Sequence, residues 1–175
     1  MSRPVVIGVV ALGIVALALA LNNARPACPA DWAGAQRIEI KGSSADVALD
    51  GHPYRVGGRA LLDYMPRTGP PFPRPGEHPM GVNMSISAPN TAELDDPEFT
   101  CVRVTRGSGV WTKRPDNYGA QTSQSYPAGE AWRNAYAYGG PEWPVGDVIG
   151  VELWATVRGQ RYVFVLEPFA LMKGG

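Results

Sequence analysis

Beyond residue 25 the apolar positions of this chain recur with a period of two, and no stretch shows the 3.6-residue period of an amphipathic helix. The clearest case is Val82-Asn83-Met84-Ser85-Ile86-Ser87-Ala88, where apolar and small polar residues alternate strictly. Successive side chains on a strand point to opposite faces, so Val82, Met84 and Ile86 share a buried face and the residues between them a wet one. Phe99–Thr105 alternates as well, with two registers open: Val102 and Val104 inward, or Phe99 and Cys101 inward. Further on, Ile149, Val151, Leu153, Ala155 and Val157 share one face. Arg158-Gly159-Gln160 then turns the chain, Gly159 being free to take a positive φ. The return strand carries Tyr162, Phe164 and Leu166 on one side and Val163 and Val165 on the other. Pro168 interrupts it, and Phe169–Met172 is read as a last short edge strand.

Shorter candidates are Arg37–Lys41, Asp46–Leu49, Tyr54–Val56, Ala60–Tyr64, Val110–Thr112 and Ala131–Tyr138. Short strands punctuated by Gly, Pro, Asn and Asp predict an all-β domain: a single immunoglobulin-like β-sandwich, with a small β-barrel as the alternative. On Ala131–Tyr138 the rings of Trp132, Tyr136 and Tyr138 fall on one face. Ala131, Arg133, Ala135 and Ala137 fall on the other, which predicts the rings as the buried side. Two stretches break the rhythm. Pro66–Pro79 holds six prolines in fourteen residues, and Arg114–Glu130 has no aliphatic side chain larger than alanine in seventeen. Strandless loops of that length are often functional.

The N-terminus follows a different pattern: Val5–Leu21 is a run of seventeen uncharged, almost wholly apolar residues behind Arg3. A bilayer span needs about 17–25 residues, whereas a cleaved signal core has about 7–15. Ala18 and Ala20 have the spacing of a cleavage site but lie inside the apolar run. Residues 1–27 are therefore read as a signal-anchor helix with a short stem, and 28–175 as an extracytoplasmic β-domain. The expected location is the cell membrane, single-pass through residues 5–21, with the C-terminal domain in the periplasm or at the cell surface. Cleavage of the N-terminus would make it secreted. Cys28 and Cys101 are expected to form one disulfide in such an oxidising compartment.

Charge and motifs exclude more than they identify. Lysine plus arginine and aspartate plus glutamate number 16 each, so no strong field draws the protein to nucleic acid. There is no G-x-S-x-G elbow, phosphate loop, H-E-x-x-H or dinucleotide fingerprint. Gly107-Ser108-Gly109 reads as a turn, and His52 and His78 are the only histidines, so neither an enzyme nor a cofactor is expected. Glu93, Asp95, Asp96 and Glu98 read as a solvated acidic turn.

His78, Met80 and Met84 form a weak copper constellation, since imidazole and thioether are ligands for that ion, although Met84 occupies a core position. The residues expected to contact a partner are Trp143, between Pro141 and Pro144, together with Tyr118, Tyr126 and Phe72. The expected function is a membrane-tethered, non-catalytic domain that binds or positions a protein partner at the cell envelope. The alternative is a module binding a small ligand, either a glycan or copper.

Overall fold

The computed structural model describes residues 28, 32–64, 78–90, 94, 97–118, 121–122 and 130–174. They form twelve strands: β1 (Gln36–Ile40), β2 (Ser44–Leu49), β3 (His52–Asp63), β4 (Met80–Ala88), β5 (Glu98–Arg106), β6 (Gly109–Lys113), β7 (Asp116–Asn117), β8 (Gln121–Thr122), β9 (Ala131–Gly140), β10 (Val148–Val157), β11 (Gln160–Ala170) and β12 (Met172–Gly174). Five of these make sheet A, in the order β1-β11-β10-β5-β6. Sheet B has seven: β12-β3-β4-β9-β7 in line, with β2 also on the β12 edge of β3 and β8 on the β7 edge of β9. The sheets keep open edges and do not close on themselves, which sets the barrel alternative aside. The apolar run 5–21 lies outside the described residues. Among those described, no helix is long and apolar enough to cross a membrane.

The two sheets share one core. Tyr54, Val56, Ala60 and Leu62 of β3 and Met80, Val82, Met84 and Ile86 of β4 meet Phe99, Val102 and Val104 of β5, Val151 and Leu153 of β10, and Phe164 and Leu166 of β11. Burial of each large apolar side chain contributes about 1.5–3 kcal/mol. Both registers left open on β5 are used, because a bulge opposite β10 switches the parity: Cys101 pairs with Trp154, but Phe99 pairs with Ala155. Phe99, Val102 and Val104 thus all face inward, while Cys101 turns outward to its disulfide with Cys28.

Other local patterns differ from the expectation for identifiable reasons. Tyr54–Val56 and Ala60–Tyr64 join into the single strand β3, which runs through Gly57 and Gly58. A Cβ on Gly57 would come within 2.9 Å of the Ser44 Cβ, and one on Gly58 within 2.9 Å of the Leu153 Cδ1. These glycines mark close approaches rather than a break. Pro168 lies inside β11, where the pairing with β10 slips between Ile149–Phe169 and Val151–Leu166, so no ladder N–H is required of it. The chain then changes layer, and β12 pairs in parallel with β3 of sheet B. Arg158 and Gly159 form a two-residue turn with φ of 50° and 74°, and Gln160 is already in the strand opposite Val157. Arg114–Glu130 is not strandless, since β7 and β8 lie within it.

The largest correction concerns β9. Ala131, Ala135 and Ala137 are the buried face, each at most 1% exposed. Trp132, Tyr136 and Tyr138 are half-buried and alternate with those alanines, which turns them to the outer side of sheet B. Facing β4, whose inward residues are the bulky Val82, Met84 and Ile86, small alanines satisfy the packing of the core. Size within β9 alone points the rings inward, and size on the neighbouring strand decides otherwise.

Tyr162 yields a pH prediction. Burial, with smaller contributions from Asp50 and Tyr54, holds its hydroxyl above the ordinary 10.0. The folded protein therefore keeps this proton to higher pH than the unfolded chain, so the contribution is intact below about pH 10 and is lost as pH rises further. Tyr162→Phe is expected to shrink the fall in urea midpoint between pH 9 and pH 11. An undiminished fall would assign the alkaline loss to other groups.

Candidate functional site

The two outer faces differ. That of sheet A is occupied. Trp32 lies against Trp154 with ring centroids 5.3 Å apart, the Arg161 guanidinium is 5.9 Å from the Trp32 ring, and the disulfide fixes Cys28 to β5. Val163 is buried on this side although it points away from the core. Glu152 pairs with Arg37 at 3.0 Å and with Arg103 at 3.5 Å.

The outer face of sheet B is built by β3, β4 and β9 in four rows: Arg55–Ser87–Trp132, Gly57–Ser85–Asn134, Arg59–Asn83–Tyr136 and Leu61–Gly81–Tyr138. Rings line the β9 side, with the Tyr136 and Tyr138 centroids 5.9 Å apart. Tyr136 lies back across Gly81, where an added Cβ would meet its Cζ at 2.8 Å. Glycine on β4 thus gives the ring its seat.

Across the middle rows runs a trough of about 540 Å³, lined by Ser44, Gly57, Arg59, Asn83, Ser85, Asn134 and Tyr118 among others. Its depth comes from sequence. Gly57 contributes no side chain, and Ser43 and Ser44 stand over it as one wall, the Gly58 N–H donating to the Ser43 carbonyl at 2.9 Å. Tyr118 forms the other wall at 51% exposure. It is positioned by two contacts: its own N–H donates to the Asn134 carbonyl at 2.9 Å, and the preceding Asn117 is clamped to β5. The Asn117 Oδ1 accepts the Phe99 N–H at 2.8 Å and its Nδ2 donates to the Phe99 carbonyl at 2.7 Å. That carboxamide substitutes for a neighbouring strand beyond the end of β6 and ties the edge of sheet B to sheet A.

Among the described residues, no side-chain hydrogen bond or ion pair engages Arg59, Asn83, Ser85, Asn134 or Tyr118. A second hollow of about 610 Å³ at the other end of the face is different. There Asp46 pairs with Arg55 at 3.5 Å and the Ser87 hydroxyl donates to Glu130 at 2.7 Å.

The residues singled out from sequence do not converge on one site. Tyr118 lines the trough. Trp143 is half-buried against the core, its Cζ2 3.3 Å from where a Gly109 Cβ would stand. Tyr126 and Phe72 lie outside the described residues, as do Glu93, Asp95 and Asp96. Glu98 pairs with Arg114 at 3.7 Å. Met80 and Met84 are 0% and 2% exposed in the core, while the His78 ring stacks on Tyr64 at 3.7 Å with its Nδ1 3.2 Å from the Asp63 carbonyl. Among the described residues no three His, Cys, Asp or Glu side chains are grouped to hold a metal ion.

In the sequence Asn83 and Ser85 are only the polar half of an alternating strand, and Asn134 only falls between the rings of Trp132 and Tyr136. The signal available was that the polar positions of β4 carry amide and hydroxyl groups but no charge. No protein-family model matches the chain, and neither a curated protein nor a solved structure does.

Proposed function

We propose that this is a membrane-tethered, exported, non-catalytic β-domain that binds a small polar ligand on the outer face of sheet B. The observation that carries the reading is the trough itself. It has a concave floor of small residues, amide and hydroxyl groups without side-chain partners among the described residues, and aromatic rings at its margin, and ligand sites combine a preformed hollow with a few orienting polar groups. The disulfide supports export, because such bonds persist in oxidising compartments. An anchor through residues 5–21 and a domain in the periplasm or at the cell surface complete the reading. Two packed, largely antiparallel layers support the immunoglobulin-like description.

A protein partner at the envelope is the second reading, and the exposed Tyr118 ring favours it. Copper binding is not carried further, since both thioethers are in the core. Deleting Arg114–Glu130 would be a poor probe, because it removes β7, β8 and the Asn117 clamp together. Point variants are cleaner. The full chain in detergent is to be titrated with a panel of oligosaccharides and, separately, crosslinked in native membranes. Tyr118→Ala is expected to weaken saccharide binding about tenfold or more, the loss typical of an aromatic contact that dominates a site, with the melting temperature nearly unchanged. Binding that is indifferent to Tyr118→Ala and Asn134→Ala would put the contact elsewhere and remove this reading.

A further inference from the structure

Resting on the reading just given, we infer that the trough selects an acidic saccharide, with a sugar carboxylate on Arg59 and its hydroxyls on Asn83, Ser85 and Asn134. The argument is one of matching chemistry. Among the described residues of the lining, Arg59 is the single charged group and none is a carboxylate. Its neighbour on the face, Arg55, is already engaged by Asp46 at 3.5 Å. No described acidic side chain pairs with Arg59. A planar guanidinium at the edge of such a hollow is complementary to a carboxylate.

The other lining groups argue against a bare inorganic anion. Sites for phosphate or sulfate present donors alone, usually backbone N–H groups gathered at a helix end or a nest. Here the two middle rows offer carboxamides at Asn83 and Asn134, each of which both donates and accepts, and a Ser85 hydroxyl that does the same. Paired donors and acceptors are what a polyol requires, because every hydroxyl is itself both. The Tyr118 ring beside Asn134 supplies an apolar surface for the C–H face of a sugar ring. One cation, two carboxamides, serine hydroxyls and a ring describe a sugar unit bearing one negative charge.

The face also favours a chain over a single sugar. From Arg55 to Leu61 the rows extend along β3 for about 20 Å at the ordinary rise per residue, and the half-buried rings of Trp132, Tyr136 and Tyr138 follow the same direction on β9. A linear oligomer laid along the strands would thus meet rings on one flank and polar groups on the other.

The test uses the full chain in detergent and three probes: a tetramer of galacturonic acid, its fully methyl-esterified form, and inorganic phosphate. The acid is expected to bind at least tenfold more tightly than the ester, the usual size of a charge-assisted hydrogen bond. Arg59→Gln should remove that preference while leaving the ester unaffected. Asn134→Ala should weaken acid and ester alike, and phosphate should not compete. Arg59 and Asn83 are exposed, and unchanged melting temperatures will show the variants folded.

Equal affinity for acid and ester, both weakened by Asn134→Ala, would overturn the acidic preference and leave the trough a saccharide site. Phosphate competing at the affinity of the tetramer would overturn the saccharide in favour of a simple anion. Binding of no probe, or binding that survives every variant, would overturn this inference, and survival of every variant would remove the broader reading of the face with it.

Discussion

Reducing the Cys28–Cys101 disulfide is expected to lower the unfolding free energy by about 4 kcal/mol. The two cysteines are 73 residues apart in sequence. The chain-entropy relation gives about 4 kcal/mol for closing a loop of that size in the unfolded state. Domains of this size are stable by about 5–15 kcal/mol in total, so the loss would be a large fraction. The local consequence is as informative. Cys101 sits opposite Trp154 on the outer face of sheet A, and Trp32, four residues after Cys28, covers Trp154. Opening the bond releases the segment that holds this lid. Urea titrations of the full chain with and without reductant, followed by tryptophan fluorescence and far-UV circular dichroism, are expected to show a lower midpoint. A red shift in fluorescence should precede loss of the sheets. An unchanged midpoint would mean that the bond does not restrain the unfolded chain, and coincident transitions would mean that the lid and the sandwich open together.

How much of this was legible in the sequence varies with the kind of contact that fixes it. Strands set by their own alternation, such as β4, β10 and β11, were visible because period two is a local property. The disulfide was visible because there were only two cysteines to pair. What stayed hidden depended on a neighbouring strand. Gly57 and Gly58 look like a break until Ser44 on one side and Leu153 on the other explain why no side chain fits there. The rings of β9 look like core until β4 is seen to fill that volume. The trough was hidden for the same reason. Arg59, Asn83 and Asn134 are far apart in the chain, and only the registers of β3, β4 and β9 bring Asn83 into the row of Arg59 and Asn134 into the row beside it. An uncharged polar half of a strand is ordinary by itself and becomes a site only beside a second one.

Leu153→Ala should cost about 2–5 kcal/mol, the range for removing a buried leucine. Leu153 is fully buried on β10, and the feature that makes it a sharper probe than other core residues is the notch it enters. A Cβ on Gly58 would lie 2.9 Å from the Leu153 Cδ1 and 3.2 Å from the Leu166 Cδ2. Gly58→Ala alone therefore overpacks the centre of the sandwich and should cost about 1–3 kcal/mol. The two changes are not independent, because the alanine at 58 partly fills the space that the shortened residue at 153 vacates. The double variant should thus be more stable than the sum of the singles predicts, by about 1 kcal/mol or more, within the coupling usual for residues in contact. Additivity within about 0.5 kcal/mol would show that Leu153 is not seated by Gly58. The adjacent glycine serves the opposite face by the same logic. Position 58 must be small so that the sheets can close on the core, and position 57 must be small so that the outer face keeps its trough. Successive residues of one strand thereby link the packing of the sandwich to the shape of its binding surface.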